Sequence, residues 1–164
     1  MQKDSELQER YKQLGHGNAR ERQDFLDELD LEDATPYLRR VRYNQKLDQS
    51  GRLMGTLPTF RSLIGIKNIK SIVEVYPDAF NSMFLPFIDD FLSALIDHEG
   101  HHAREIYESP SIIWKHFSLS EPRCFRNREF GAYRNQIEMI KEKRRNCSKE
   151  MLLLLDANYS YCLS

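Results

Sequence analysis

The sequence is short of cysteine, glycine and proline, has no long apolar run and no excess of either charge, and each shortage removes a class of protein. Its three cysteines, Cys124, Cys147 and Cys162, lie far apart and form no CxxC pair. A disulfide scaffold, a thiolate zinc site and a CxxC redox pair are thereby excluded. Seven glycines and six prolines in 164 residues are too few for a collagen-like or low-complexity chain. The start, from Met1 through Lys3, Asp4 and Glu6, is charged rather than apolar, and no 18-residue apolar stretch follows it. No cleavable signal and no membrane span are expected, which makes the cytoplasm the default location; secretion that reads no cleavable signal would leave the same pattern. The 24 basic and 25 acidic side chains sum to a net charge of -1, so no global field draws in nucleic acid or an anionic membrane.

What is present is a chain with 40% hydrophobic and 30% charged residues, long enough to enclose one core and too short for two comfortable domains. The expected fold class is mainly α, α+β at most, with a small or vestigial sheet. Residues 1–50 read as a helical segment packed on a metal-binding core at 51–164. Within the first part, helices are expected over 5–14 and 19–29, with Asn18 as the N-cap of the second. A third helix is expected to follow the cap-and-proline pair Thr35 and Pro36 and to stop at Gly51. Residues 52–77 contain Gly55, Pro58 and Gly65 and an apolar, β-branched run at Ile69, Ile72, Val73 and Val75, which suits a strand or a short helix.

A long helix should run from Pro86 to the stop at Ser109 and Pro110. With Leu95 at zero on a helical wheel, Phe84, Ile88, Phe91, Leu92 and Ile106 fall within about 60° of it, and so do His98, Glu99 and His102. Asp89, Asp90, Asp97 and His101 point away by more than about 100°. A second helix is expected over 128–145, with Glu129, Ala132, Tyr133, Gln136, Ile137 and Ile140 on one face and Arg134, Glu138 and Lys141 on the other. Ser148 then caps a closing apolar helix at 151–155.

His98, Glu99 and His102 form an HExxH string. Imidazoles at i and i+4 leave a helix one above the other and can meet one zinc ion, while the glutamate between them sits beside the ion and can take a proton from its water. Three polar groups on an apolar stripe would each be costly without a partner, and a metal removes that cost. A catalytic zinc needs a third protein ligand and one open position. Glu129 is the choice, on the buried face of a separate helix, with Pro110 and Pro122 letting the chain turn back across the site. Glu108 holds the place of a metzincin third ligand, but that arrangement needs a glycine where this chain has Glu105. His116 is a further option, in the apolar setting of Ile112, Ile113, Trp114 and Phe117. For the developing oxyanion, Tyr133 is better placed than Tyr107, His101 or Arg134.

The string from His98 through Gly100 to Ala103, followed by Glu129, Phe130, Gly131, Ala132 and Tyr133 in an ExxA arrangement, resembles the gluzincin group of zinc metallopeptidases. The resemblance covers roughly residues 92–140. It implies that His98, His102 and Glu129 bind one zinc ion, that Glu99 is the catalytic base, that the substrate is a peptide or protein, and that the fold is zincin-like. Arg104 and His101 depart from the apolar or small residues usual at their places in that group.

Other readings are weaker. A di-iron bundle needs a second Glu-x-x-His pair, which the chain lacks. The basic residues Arg123, Arg126, Arg128 and Arg134 and the run at 141–145 suit a helix C-terminus interrupted by Glu138 and Glu142 better than a nucleic-acid surface. A helical interaction module holding a metal without turnover is the rival from another class. Nothing in the sequence fixes an oligomeric state or a substrate sequence. Residues 1–50 are expected to pack around this core, and if they cover the cleft the protein would be latent.

Overall fold

The computed structural model describes residues 2–31, 34–46, 53–59, 68–81, 83–111, 122–143 and 146–163. Two helices open the chain, α1 (Gln2–Gln13) and α2 (Ala19–Glu28). Asn18 caps α2 as its sequence implied: its side chain accepts from the backbone of Arg20 and Glu21, and Glu21 returns a bond to the Asn18 amide. This reciprocal capping is worth about 1 kcal/mol. Tyr11 and Phe25 carry the two helices into an aromatic cluster with Phe80 and Phe91. The Tyr11 hydroxyl reaches the carbonyls of Ala79 at 2.7 Å and Leu85 at 2.9 Å.

The helix expected after Thr35 and Pro36 is replaced by a strand, β1 (Leu38–Tyr43). Its arginines suit a helix locally, but the segment pairs in parallel with β3 (Ser71–Val75), and Arg42 reaches across to Glu74. Partnering, with burial of Leu38 and Val41, outweighs a propensity that differs little between the two states. Gly51, the expected stop, lies outside the described residues. The ambiguous stretch resolves as strands: β2 (Met54–Pro58) pairs antiparallel with β3, giving the order β1-β3-β2 with β2 at an edge. Val73 and Val75 in the central strand are fully buried, as β-branched residues in a doubly flanked strand should be. The fold is thus mainly helical with one small sheet.

After a short 3-10 turn at Pro77–Phe80 comes the long helix, which begins at Ile88, two residues past Pro86. It consists of α3 (Ile88–Leu92), a π-helical segment (Ser93–Glu99) and α4 (Gly100–Glu108), continuous along the chain. The wide turn is evident in the Gly100 amide, which donates to the carbonyl of Leu95 five residues back. A uniform 100° wheel therefore fails here, since residues in a π turn advance by less. Ile88, Phe91, Leu95 and Ile106 are buried as expected, but Asp90 and Asp97, assigned to the outer face, are buried too. Asp90 accepts from the amides of Phe87 at 3.1 Å and Ser148 at 2.8 Å. Phe84, assigned to the buried stripe, precedes the helix and is 45% exposed.

The second long helix is α5 (Pro122–Lys143), starting earlier than residue 128 because a proline suits the first helical position. Ala132, Gln136 and Ile140 are buried and Arg134, Glu138 and Lys141 exposed, matching the expected faces. Ser148 caps α6 (Lys149–Leu163), its Oγ accepting from the Met151 amide at 3.0 Å. Met151 and Leu155 join the core, which also takes in Phe25, Val73, Phe91 and Leu95. Leu152, Leu153 and Leu154 remain largely outside. Among the described residues no helix is long and apolar enough to cross a membrane.

Candidate metal centre

Two side-chain bonds set α5 against the motif helix. Asn135 Nδ2 donates to the Asp97 carbonyl at 2.6 Å, and Gln136 Nε2 donates to Ser93 Oγ at 3.0 Å. Gly131 permits the close crossing: a Cβ there would stand 3.1 Å from His101 Nε2. With α5 seated so, Glu129 faces the two motif histidines. Its Oε2 lies 3.3 Å from His98 Nε2 and its Oε1 3.3 Å from His102 Nε2.

These separations are longer than the roughly 2.7–2.9 Å of a charge-assisted hydrogen bond. Each is close to the separation of about 3.3–3.4 Å between two ligand atoms on one tetrahedral metal ion, with a different carboxylate oxygen facing each histidine. His98, His102 and Glu129 can each offer one ligand atom, and those atoms lie within 4.8 Å of one another. The side chains are 12%, 8% and 21% exposed, respectively, so little water competes for them. His98 Nδ1 and both ring nitrogens of His102 are buried without a hydrogen bond. Buried nitrogens usually make a hydrogen bond; the His102 pair has only carboxylate oxygens at 3.3 and 3.5 Å instead, and a cation shared with Glu129 would give His102 Nε2 a closer partner. The group can therefore hold a metal ion.

The electrostatics also call for positive charge. Burial lowers the pKa of His102, but the facing carboxylates of Glu105, Glu129 and Glu99 outweigh it and raise the value to about 9. Burial likewise opposes ionisation of Glu129, yet its contacts with His102 and His98 hold it well below the usual carboxylate range. Without a metal, a proton on His102 answers the same demand.

Glu99 is 9% exposed, and Thr56 on β2 contacts its carboxylate Oε2 at 2.7 Å and its carbonyl at 3.1 Å. Glu105 stands behind the cluster, its Oε2 3.5 Å from His102 Nδ1 and 3.4 Å from Arg128 Nε. Arg128 thus pairs with Glu105. Tyr133 lies against the His98 ring with centroids 4.6 Å apart, and burial together with Glu129 raises its hydroxyl pKa to about 12.

Of the other candidates, Glu108 is exposed at the end of α4, Tyr107 packs on Tyr37, and Arg134 pairs on the surface with Glu138. His101 contacts Glu105 and Arg104. His116 lies outside the described residues. A cavity of about 680 Å³ adjoins the cluster, and among the described residues its walls come from β2, the motif helix, α5, α6 and Leu85. Among the described residues none from 1–50 lines it, and Met151, Leu154 and Leu155 of α6 form part of its wall.

Thr56 and Glu105 were not anticipated. Glu105 carried a signal, being three residues beyond His102 and hence a neighbour on the helix surface. Thr56 carried none, because its contact spans 43 residues and depends on where β2 lies. Comparison with protein-family models, curated proteins and solved structures found no match to this chain. The chemistry of the site itself must therefore carry its function.

Proposed function

We propose that the protein is a zinc metallopeptidase of the gluzincin type, with His98, His102 and Glu129 holding one zinc ion and Glu99 acting as the base. The observation that carries this is the Glu129 carboxylate set 3.3 Å from the Nε2 of each motif histidine. Two imidazoles and a carboxylate form a donor set suited to a borderline ion such as zinc, and three protein ligands leave a position open. When bound, the ion supplies Lewis-acid chemistry, polarising a carbonyl and acidifying water.

The chain's own residues divide the remaining work. Glu99 is next in sequence to one ligand and held by Thr56, where it can accept a proton from water and pass it to a leaving amine. Tyr133, its hydroxyl held protonated, is the donor for charge developing on the substrate oxygen. A peptide or protein substrate fits the open cavity beside the cluster and the edge position of β2, whose outer side pairs with no strand among the described residues and could take an extended chain. Such an edge strand is the feature that lines the substrate cleft in larger zincins.

Bound zinc is to be measured by elemental analysis, and cleavage of a mixed peptide library compared between the native chain and Glu99→Gln. Zinc at one equivalent in both, with cleavage in the native chain alone, is expected. Zinc without Glu99-dependent cleavage would instead favour a non-catalytic metal-binding interaction module, and absence of zinc would remove both.

A further inference from the structure

We propose that Thr56 is a positioning residue for the base, its hydroxyl fixing one oxygen of the Glu99 carboxylate so that the other stays free for proton transfer. This rests on the peptidase reading of the site. The Thr56 hydroxyl has one proton and two acceptors within reach, Glu99 Oε2 at 2.7 Å and the Glu99 carbonyl at 3.1 Å. The carboxylate is the nearer and the charged one, so it takes the proton. Glutamate has three rotatable side-chain bonds, and an unrestrained base would spend much of its time turned from the reacting water.

Both ends of this tether are anchored. Thr56 pairs with Val73 in the β2-β3 ladder, and its β-branched side chain is stiff at the first torsion. Glu99 closes the π-helical segment, and its side chain has little room, being 9% exposed. The contact joins the sheet edge to the base directly, so the position of β2 and the aim of the carboxylate are set together.

Valine at position 56 keeps the shape and removes the donor, whereas serine keeps the donor. In the zinc-loaded full chain, Thr56→Val is expected to lower kcat roughly 10- to 100-fold, the scale of losing a supporting hydrogen bond, with KM within about twofold of native. Thr56→Ser should return most of kcat. Zinc affinity, measured by competition with a chromogenic chelator, should change by less than about threefold in either variant. A crystal structure of zinc-loaded Thr56→Val should show the Glu99 carboxylate turned from its native rotamer or spread over several. Unchanged kcat in Thr56→Val, equal losses in both variants, or Glu99 in its native rotamer without the hydroxyl would each overturn the proposal. Glu99→Gln run alongside separates the two levels: if it cleaves as well as native, the peptidase reading fails, while the rotamer still decides the tether.

Discussion

Zinc should stabilise this protein through Glu129, and the size of the effect follows from the geometry. With free zinc about 100 times above Kd, binding to the folded chain alone contributes about 2.7 kcal/mol. In a domain of this length each kcal/mol moves Tm by about 2–4 °C, so a rise of about 5–11 °C is expected. Glu129→Gln keeps the shape of the side chain and replaces the carboxylate that faces both Nε2 atoms. Losing an outer partner of a metal ligand already costs 10- to 100-fold in affinity, and losing a ligand should cost at least the upper figure. At the same zinc concentration the variant then gains only about 0.4 kcal/mol, or about 1–2 °C. Differential scanning calorimetry at fixed free zinc, with a chelated control, reads both numbers. A native chain that ignores zinc, or a Glu129→Gln variant that responds as strongly as native, would refute the three-ligand geometry.

Glu99→Gln should keep the full zinc-dependent rise in Tm while kcat/KM falls about 10²- to 10⁴-fold, as expected for loss of a general base, in a fluorogenic peptide assay. Gly131→Val should cost about 1–3 kcal/mol in urea unfolding, because a Cβ there already stands 3.1 Å from His101 Nε2 and the larger side chain displaces that imidazole or α5. Ser148→Ala removes the acceptor for the Met151 amide and should lower stability by about 1 kcal/mol, seen as a Tm lower by about 2–4 °C. Glu74 gives a pH prediction: burial opposes its ionisation, but bonds from Arg42, Asn44 and Tyr76 prevail and hold its pKa below the ordinary range. Its contribution is therefore complete above an ordinary glutamate pKa of about 4.3 and is lost as pH falls through the lower, folded-state value. Denaturation across that acid range should be flatter for Glu74→Gln, which at neutral pH should be about 1–3 kcal/mol less stable.

What could be read from the sequence was what lies close together along it. His98 and His102 are four residues apart on one helix, so their meeting needs only helical geometry, and the exposed and buried faces of α5 followed from spacing alone. Asn18 and Ser148 announced themselves as caps because a cap is a local bond. The segment at Leu38–Tyr43 was misassigned for the opposite reason: its three arginines give no apolar alternation, and it is a strand because β3 lies beside it. Asp90 is buried because two amides distant from each other in sequence converge on it, which no wheel can register. Thr56 meets Glu99 only through the placing of β2, and the π-helical segment shifts the angular position of the residues after Leu92 without any proline or glycine to mark the change before Gly100.

The π-helical segment Ser93–Glu99 joins two lengths of ordinary helix that pack against different partners. A π turn adds one residue to the ring closed by each backbone bond, so it works as a phase adjuster between two lengths of ordinary helix. The upstream length packs Phe91 into the aromatic cluster, and the downstream length sets His102 against Glu129 on α5. Because the joint absorbs the mismatch, a change in one packing does not oblige the other to rotate. Loss of one residue from Ser93–Glu99 would lock the halves into a single register and force a choice between a filled core and an aligned pair of histidines.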